Sequence, residues 1–558
     1  MRFFRPGAAA SVALVALPVV ALVQAAMWGA GDLWPHLVRH VLPQAAVETA
    51  LLLAGVGAVV AGVGAGTAWL VSCYRFPGRR VLSWALILPL ALPTYVSAYA
   101  WLDVMHPAGP VQSGLRALLG LTDPRDIPLP EMRSLGGCVL VMGSVLYPYA
   151  YLAARAAFDT QGADLLRAGR SLGAGGWRLL RSVGLPMAWP AIAAGTTLAL
   201  LETLNDVGAA EFLGVRTLTV SVYVTWITRS SLEGAAQIAL ALLVLVGLLL
   251  ALDGWARARA RGGQAVREMV RPDLAPLPAG RGLLAALLCA VPAFLGFVVP
   301  GGYLLWAAWR RVAEFGLPPA LGAWIANSVL LSAICTALVL PSALLLASNA
   351  RGDGRPERRG VLDRALLRLS MFGYALPGGI AAVGMIVVLG AMDEMTEGLA
   401  RWVPALSGTV GAVVLAYYVR FLAVPAAGLD AAYLRIQPQV DWSARSLGAG
   451  PWKTLTRIHL PQLLPALSAS ALLVFLDAMK ELPATLLLRP FNRETLATAL
   501  YAEAARGTYE EGAVAALALV VVSLPVIILL ATGGRSRKTP SIRGAQRDPV
   551  GPAKEHSP

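Results

Sequence analysis

Twelve mostly apolar runs, each about twenty residues long, punctuate the 558-residue chain. They lie near 11–29, 47–72, 81–104, 135–157, 186–210, 234–254, 283–308, 326–348, 367–392, 404–427, 461–486 and 511–532. A helix needs roughly 20 apolar residues to cross a bilayer. Inside the hydrocarbon only helices and closed barrels satisfy their own backbone. The runs therefore predict an all-α integral membrane protein of about twelve transmembrane helices. Only 14% of the residues are charged, against about a quarter in soluble domains.

A net charge of +14 raises the question of nucleic acid, and its distribution answers it. Of the 46 Lys and Arg, 32 lie in the N-terminus, in alternate loops and in the C-terminal tail, and 12 lie in the opposite loops. The remaining two, Arg420 and Lys480, fall within or beside spans. The positive-inside rule then places both termini in the cytoplasm. The first run follows Arg2 and Arg5 and resembles a signal peptide, but an uncleaved first span keeps the count even. The tail after Gly533 is polar and basic and reads as disordered. The four Cys (Cys73, Cys138, Cys289 and Cys335) have no metal or redox spacing and read as small buried apolar residues.

The chain also repeats itself. RSLGAG stands at Arg170–Gly175 and again at Arg445–Gly450. At the same offset Trp177 matches Trp452, Leu185-Pro186 matches Leu460-Pro461, and Pro190 matches Pro465. Upstream, ALPTYVSAY (91–99) parallels ALPGGIAAV (375–383), and ETALLLAGVGAVV (48–60) parallels NSVLLSAICTALV (327–339). Two six-span halves follow, 1–265 and 266–540, with a tail at 541–558. An even number of spans keeps both halves in one orientation, which implies a pseudo-two-fold axis along the membrane normal and a path along it.

The repeated loops, near 158–185 and 433–460, are helix-forming but broken by Gly173, Gly175 and Gly176 in one copy and by Gly448, Gly450 and Pro451 in the other. Gly ends a helix and permits a sharp turn. Pro186 and Pro461 suit the first turn of the next membrane helix. Each loop thus reads as a short helix, a turn and a second helix at the membrane surface. Basic residues (Arg170, Arg178, Arg181; Arg445, Lys453, Arg457) alternate with apolar ones. Composition alone fits either lipid contact or protein docking. A turn duplicated with its glycines favours docking.

These residues resemble the EAA loop of binding-protein-dependent ABC transporter permeases, roughly E-A-A-x-x-x-G with a later L-P. Gly173 and Gly448 stand at the motif glycine. Arg167 and Trp442 stand where the acidic residue is expected, with Asp164 and Asp441 nearby. The resemblance implies that Arg170, Gly173, Gly175, Trp177 and Pro186, and Arg445, Gly448, Gly450, Trp452 and Pro461, form two coupling loops gripped by two ATPase subunits. The chain has no phosphate-binding G-x-x-x-x-G-K-[ST] loop of its own. Its nearest approach, GAGPWKT at 448–454, has Trp452 where glycine is required. ATP is therefore expected to be handled by a partner, with no cofactor bound by this chain and no enzymatic activity of its own.

The span after each loop carries ionisable residues. Glu202, Asn205 and Asp206 align with Asp477, Lys480 and Glu481, at i, i+3 and i+4 on one helix face. Glu202 lies roughly 24 Å along the helix from Pro186. Charges inside a span usually face a bundle interior or a water-filled path. They read as a translocation path for a cation or as a structural network, in which Lys480 pairs with Asp477. Tyr95 and Tyr99 follow Pro93 and either line that path or pack in the core. His36 and His40, at i and i+4 outside the spans, read as interfacial histidines or, if helical, as a pair of metal ligands; no metal site is established. LLETLNDVGAAEFLGV and DAMKELPATLLLRPF resemble the iron(III) branch of the permease family. That likeness implies Fe³⁺ delivered by a periplasmic binding protein to the inner membrane. Thiamine, phosphonate or polyamine permeases, or a secondary transporter, are the alternatives.

Overall fold

The computed structural model describes residues 5–121, 123, 130–161, 171, 173–260, 274–351, 361–396 and 406–533. Among them ten helices are long and apolar enough to cross a membrane, and a bent pair makes an eleventh. The twelfth expected run falls on the 25-residue helix Tyr509–Gly533. The expected tail, 541–558, lies outside the described residues.

The first half runs α1 (Arg5–Trp28), α2 (Gly31–Cys73), α3 (Arg79–Ala91), α4 (Thr94–Val104), α5 (Leu135–Gln161), α6 (Gly176–Asn205), α7 (Val207–Phe212), α8 (Leu218–Ile227) and α9 (Leu232–Ala260), with a further short helix, Pro110–Leu119, between α4 and α5. The second half repeats the order: α10 (Ala279–Phe315), α11 (Leu321–Arg351), α12 (Val361–Ala375), α13 (Gly378–Thr396), α14 (Val410–Tyr433), α15 (Pro438–Ser446), α16 (Pro451–Met479), α17 (Pro483–Leu488), α18 (Leu496–Arg506) and α19 (Tyr509–Gly533). A two-residue parallel pairing joins Tyr74–Arg75 to Ala275–Pro276 and ties the inter-half linker to the end of α2.

The Ala-Leu-Pro triplets dictate the bend in the third span of each half. Proline lacks an N–H and pushes its predecessor into extended backbone. Leu92, before Pro93, takes φ −97° and ψ 121°. The span breaks there, and α4 leaves α3 at 95°. The run expected as one span over 367–392 breaks at the matching place, between Ala375 and Gly378.

The halves exchange their first helices. α1 packs on α12 and α13 of the second half, and α10 packs on α3 and α4 of the first. Each also packs on the last helix of its own half, α9 or α19. The crossings are close enough to require glycine: a side chain at Gly384 would strike the Pro18 carbonyl, and one at Gly296 the Ser144 carbonyl. Arg5, at the head of α1, adds a two-pronged ion pair to Asp363 of α12 at 2.9 and 2.8 Å. The expected first span is thus an integral part of the bundle.

The loop expectation needs one correction. The helix after the turn is not a separate surface helix followed by a membrane helix that starts at Pro186 or Pro461. It is the head of a continuous membrane helix, α6 or α16. A single π turn, Leu180–Gly184 or Leu455–His459, precedes the Leu-Pro pair in each. A proline inside a helix clashes with the carbonyl four residues back, and a π turn widens the ring at that point.

Candidate functional site

At the ends of α6 and α16 farthest from the RSLGAG loops, the two halves meet around a cavity of about 100 Å³. Its lining includes Tyr95, Glu202, Asn205, Asp206, Asp477, Lys480 and Glu481, together with Thr94, Tyr149 and Arg420. Tyr99 does not line it. One turn beyond Tyr95 on α4, it is fully buried against α19, and its ring has room only because Gly512 carries no side chain.

The three aligned pairs do not stay on one helix face. α6 ends at Asn205, and Asp206 turns to cap α7, accepting from the Ala209 N–H at 2.9 Å and from the Thr94 hydroxyl. Glu481 does the same after α16 ends, accepting from the Ala484 N–H at 3.1 Å and pairing with Arg420. Acidic side chains favour helix N-termini because the first N–H groups have no partner within the helix. Asp206 and Glu481 are accordingly buried at 7% and 4% exposure. Glu202, Asn205, Asp477 and Lys480 are less buried and face the cavity.

At this cavity, four hydrogen bonds among the described residues cross the seam between the halves. Tyr374 donates to Glu202 Oε1 at 2.9 Å, and the Gly378 N–H to Asn205 Oδ1 at 2.6 Å. Lys480 Nζ donates to the Leu90 carbonyl at 2.9 Å, and the Tyr95 hydroxyl to the Lys480 carbonyl at 3.4 Å. Lys480 therefore bonds across the seam to Leu90, in place of the pairing with Asp477 expected within its own helix. The Asp477 carboxylate accepts no hydrogen bond from the described residues. Four carboxylates thus surround the cavity beside two cations, and Glu202 and Asp477 are the two that cap no helix.

At the other end stand the loops. Arg170, Arg167 and Asp164 lie outside the described residues. Gly173 and Gly448 both take left-handed backbone, φ +76° and +74°. After α15 the Gly448 N–H bonds the Arg445 carbonyl and the Ala449 N–H the Ala444 carbonyl, each at 2.9 Å. That paired closure is the Schellman turn, which glycine forms without a Cβ penalty. Gly175 and Gly450 then head α6 and α16 in extended backbone. The turn exposes large apolar groups: Leu447 86%, Trp177 71% and Trp452 62%. Arg445 and Lys453 are exposed beside them.

The family pattern described as "Binding-protein-dependent transport system inner membrane component" matches residues 58–262 and again 343–533, most of the chain in two copies. The chain belongs to this family. The permease is 24% identical over 489 residues to an "Fe(3+)-transport system permease protein" of Haemophilus influenzae, covering 86% of this chain and 88% of that one. It is 26% identical over 546 residues to a "Probable ABC transporter permease protein" of Sinorhizobium fredii, covering 92% of both. A molybdenum transport permease of Escherichia coli matches a single half, 32% identical over 194 residues, 34% of this chain and 81% of that one. These relatives are transport components, and the permease is a multi-pass membrane protein built by internal duplication.

Two features of the permease escaped the sequence reading. Arg420 was visible as a charge in a span, but nothing in the linear order joins it to Glu481. The second is a buried network under the second loop. Arg351 Nε and Nη2 donate to Asp441 Oδ2 at 2.9 and 2.6 Å, and His459 Nε2 meets Asp441 Oδ1 at 2.7 Å. Arg351 also donates to the Tyr433 carbonyl at 2.7 Å. Asp441, Arg351 and His459 are 1%, 5% and 0% exposed. The network bolts α15 to α11 and α16. At the matching places the first half has Ser72 for Arg351, Phe158 for Tyr433 and Gly184 for His459. There Trp69 packs edge-on to Phe158, with ring centroids 5.4 Å apart, and lies over Gly184.

Burial opposes ionisation of Asp441, but its bonds to His459 and Arg351 and their charges outweigh that and hold its carboxyl below the usual range. Its stabilising effect is therefore full above the ordinary carboxylate pKa of about 4 and lost as pH falls through the lower folded value. Asp441→Ala leaves Arg351 buried without its carboxylate, which costs about 3–5 kcal/mol. Thermal unfolding in detergent is expected to show a clearly lowered midpoint. An unchanged midpoint would mean that the network carries no stability.

Proposed function

We propose that this chain is the membrane-spanning subunit of an ATP-driven importer for iron(III). In this reading it lies in the bacterial inner membrane with both termini and both coupling loops in the cytoplasm. A periplasmic binding protein delivers the cargo to the far end, and separate ATPase subunits dock on the two loops. ATP is bound and hydrolysed by those partners.

The observation that carries the cargo reading is the cavity on the seam, where Glu202 and Asp477 present carboxylates that cap no helix. Iron(III) is a hard cation that prefers oxygen ligands. The likeness to an Fe(3+) transport permease over nearly the full length of both chains supports the same choice. The four hydrogen bonds across the seam close the path in this conformation. Passage requires the halves to part there, so docking at the loops is read as the drive for that parting. The exposed Trp and Leu at glycine-shaped turns, flanked by Arg and Lys, supply an apolar and basic contact for a partner cleft.

A second reading is an anionic cargo. Arg420 and Lys480 line the same cavity, and molybdenum and 2-aminoethylphosphonate permeases match single halves of the chain. Uptake of radiolabelled iron(III) in cells expressing the complete system separates the two. Iron uptake that resists excess molybdate and 2-aminoethylphosphonate supports the first. Absent iron uptake, with accumulation of either anion, would replace it by the second.

A further inference from the structure

A second cavity is larger than the one on the seam. An apolar groove of about 1190 Å³ lies between α2, α5, the head of α6 and α10. It opens at the loop end beside Trp177, Leu277 and Arg281, and extends along Val139, Leu140 and Leu295.

The residues that shape this groove differ between the two halves. Gly62, Gly66 and Gly143 line it. At the matching places the second half carries Pro341, Leu345 and Tyr418. There the exchanged helix α1 packs directly, with Gly7 against Leu345. In the first half the corresponding helix, α10, faces Gly66 across open space. A Cβ at Gly62 or Gly66 would meet nothing within 4 Å.

Two polar groups mark what the space can take. Arg281, exposed at the mouth near the start of α10, makes no ion pair with the described residues. Tyr147 lines the wall and is fully buried, and its hydroxyl has no hydrogen-bond partner among the described residues. An apolar slot within the membrane-spanning region, with a cation at its surface end and a buried donor in its wall, complements one kind of molecule. Acyl chains fill the slot, a phosphate meets the guanidinium, and a chain-ester carbonyl offers an acceptor for the hydroxyl.

We propose that the groove binds one anionic diacyl phospholipid, headgroup at Arg281 and chains against Gly62, Gly66 and Gly143. Because Gly176, Trp177 and Leu180 form part of the wall, the lipid completes the seat of the first coupling loop. The second loop is seated by its buried Asp441 network instead. The groove opens on the side of the coupling loops, which the orientation proposed above puts at the cytoplasmic leaflet; the binding itself does not rest on that orientation.

The test titrates the full chain in detergent with phosphatidylglycerol or phosphatidylcholine and counts retained lipid by native mass spectrometry. One phosphatidylglycerol per chain is expected, held in preference to phosphatidylcholine. Gly62→Leu with Gly66→Leu puts side chains into the slot at two positions where a Cβ meets nothing within 4 Å. Displacing two methylene groups' worth of chain loses roughly tenfold in affinity. Arg281→Gln is expected to keep lipid but lose the preference for the anionic headgroup. Gly247→Leu, at another open helix position, is the control and is expected to retain lipid as the parent does. Equal retention by the parent and the double variant would overturn the proposal. So would an Arg281→Gln protein with undiminished anionic preference, a result that stands even if the double variant does not fold. No cargo or ATP enters the assay, so its outcome is separate from that of the import reading.

Discussion

Iron uptake falls by roughly tenfold for each carboxylate removed when Glu202→Gln and Asp477→Asn are introduced, because a lost charge-assisted contact is worth about 1.5–3 kcal/mol. The bundle itself should survive. Both side chains face the cavity, neither caps a helix, and Gln still accepts the Tyr374 hydroxyl. The check is initial uptake rate in cells, normalised to the amount of chain in the membrane. Uptake equal to the parent's would assign both residues to the seam. Asp206→Ala and Glu481→Ala should behave differently. Each removes a helix cap, and the second also strands Arg420, so the loss should appear as less folded chain in the membrane.

The second large effect lies at the loops. Gly173→Pro with Gly448→Pro should abolish transport while leaving ATP hydrolysis by the assembled complex. Proline fixes φ near −65°, and these positions sit at +76° and +74°. Neither loop can close its turn with proline in place, so the exposed Trp177, Leu447 and Trp452 are re-aimed. The spans lie outside the altered turns, so insertion should be normal by membrane fractionation. Parent-level uptake in the double variant would remove the loops from the coupling path.

Much of this was legible in the sequence because bilayers impose a length and repeats impose a copy. The apolar runs located the spans, and the shared RSLGAG located both loops and the glycines at positive φ. The matching Ala-Leu-Pro triplets sit at the breaks at Pro93 and Pro377, although both runs were expected as single spans. What the linear order concealed is set by packing. Spacing of i, i+3 and i+4 placed Asp206 with Glu202, but the helix stops first and the carboxylate caps its successor. Lys480 looked like a partner for Asp477, yet its ammonium reaches across the seam to the Leu90 carbonyl. Arg420 and Asp441 gave no sign of their partners, which lie 61 and 90 residues away in Glu481 and Arg351. The exchange of α1 and α10 between halves had no local signature at all. It depends on Gly296 and Gly384, two glycines among the 56 in the chain.

The most direct test of the central claim is reconstitution. The purified chain is placed in liposomes with its ATPase subunits on one side and iron-loaded binding protein on the other. Iron(III) accumulation that begins with ATP and stops when the ATPase subunits are omitted is the predicted result. Accumulation that proceeds without the ATPase subunits, driven by an ion gradient, would contradict it and make the chain a secondary transporter.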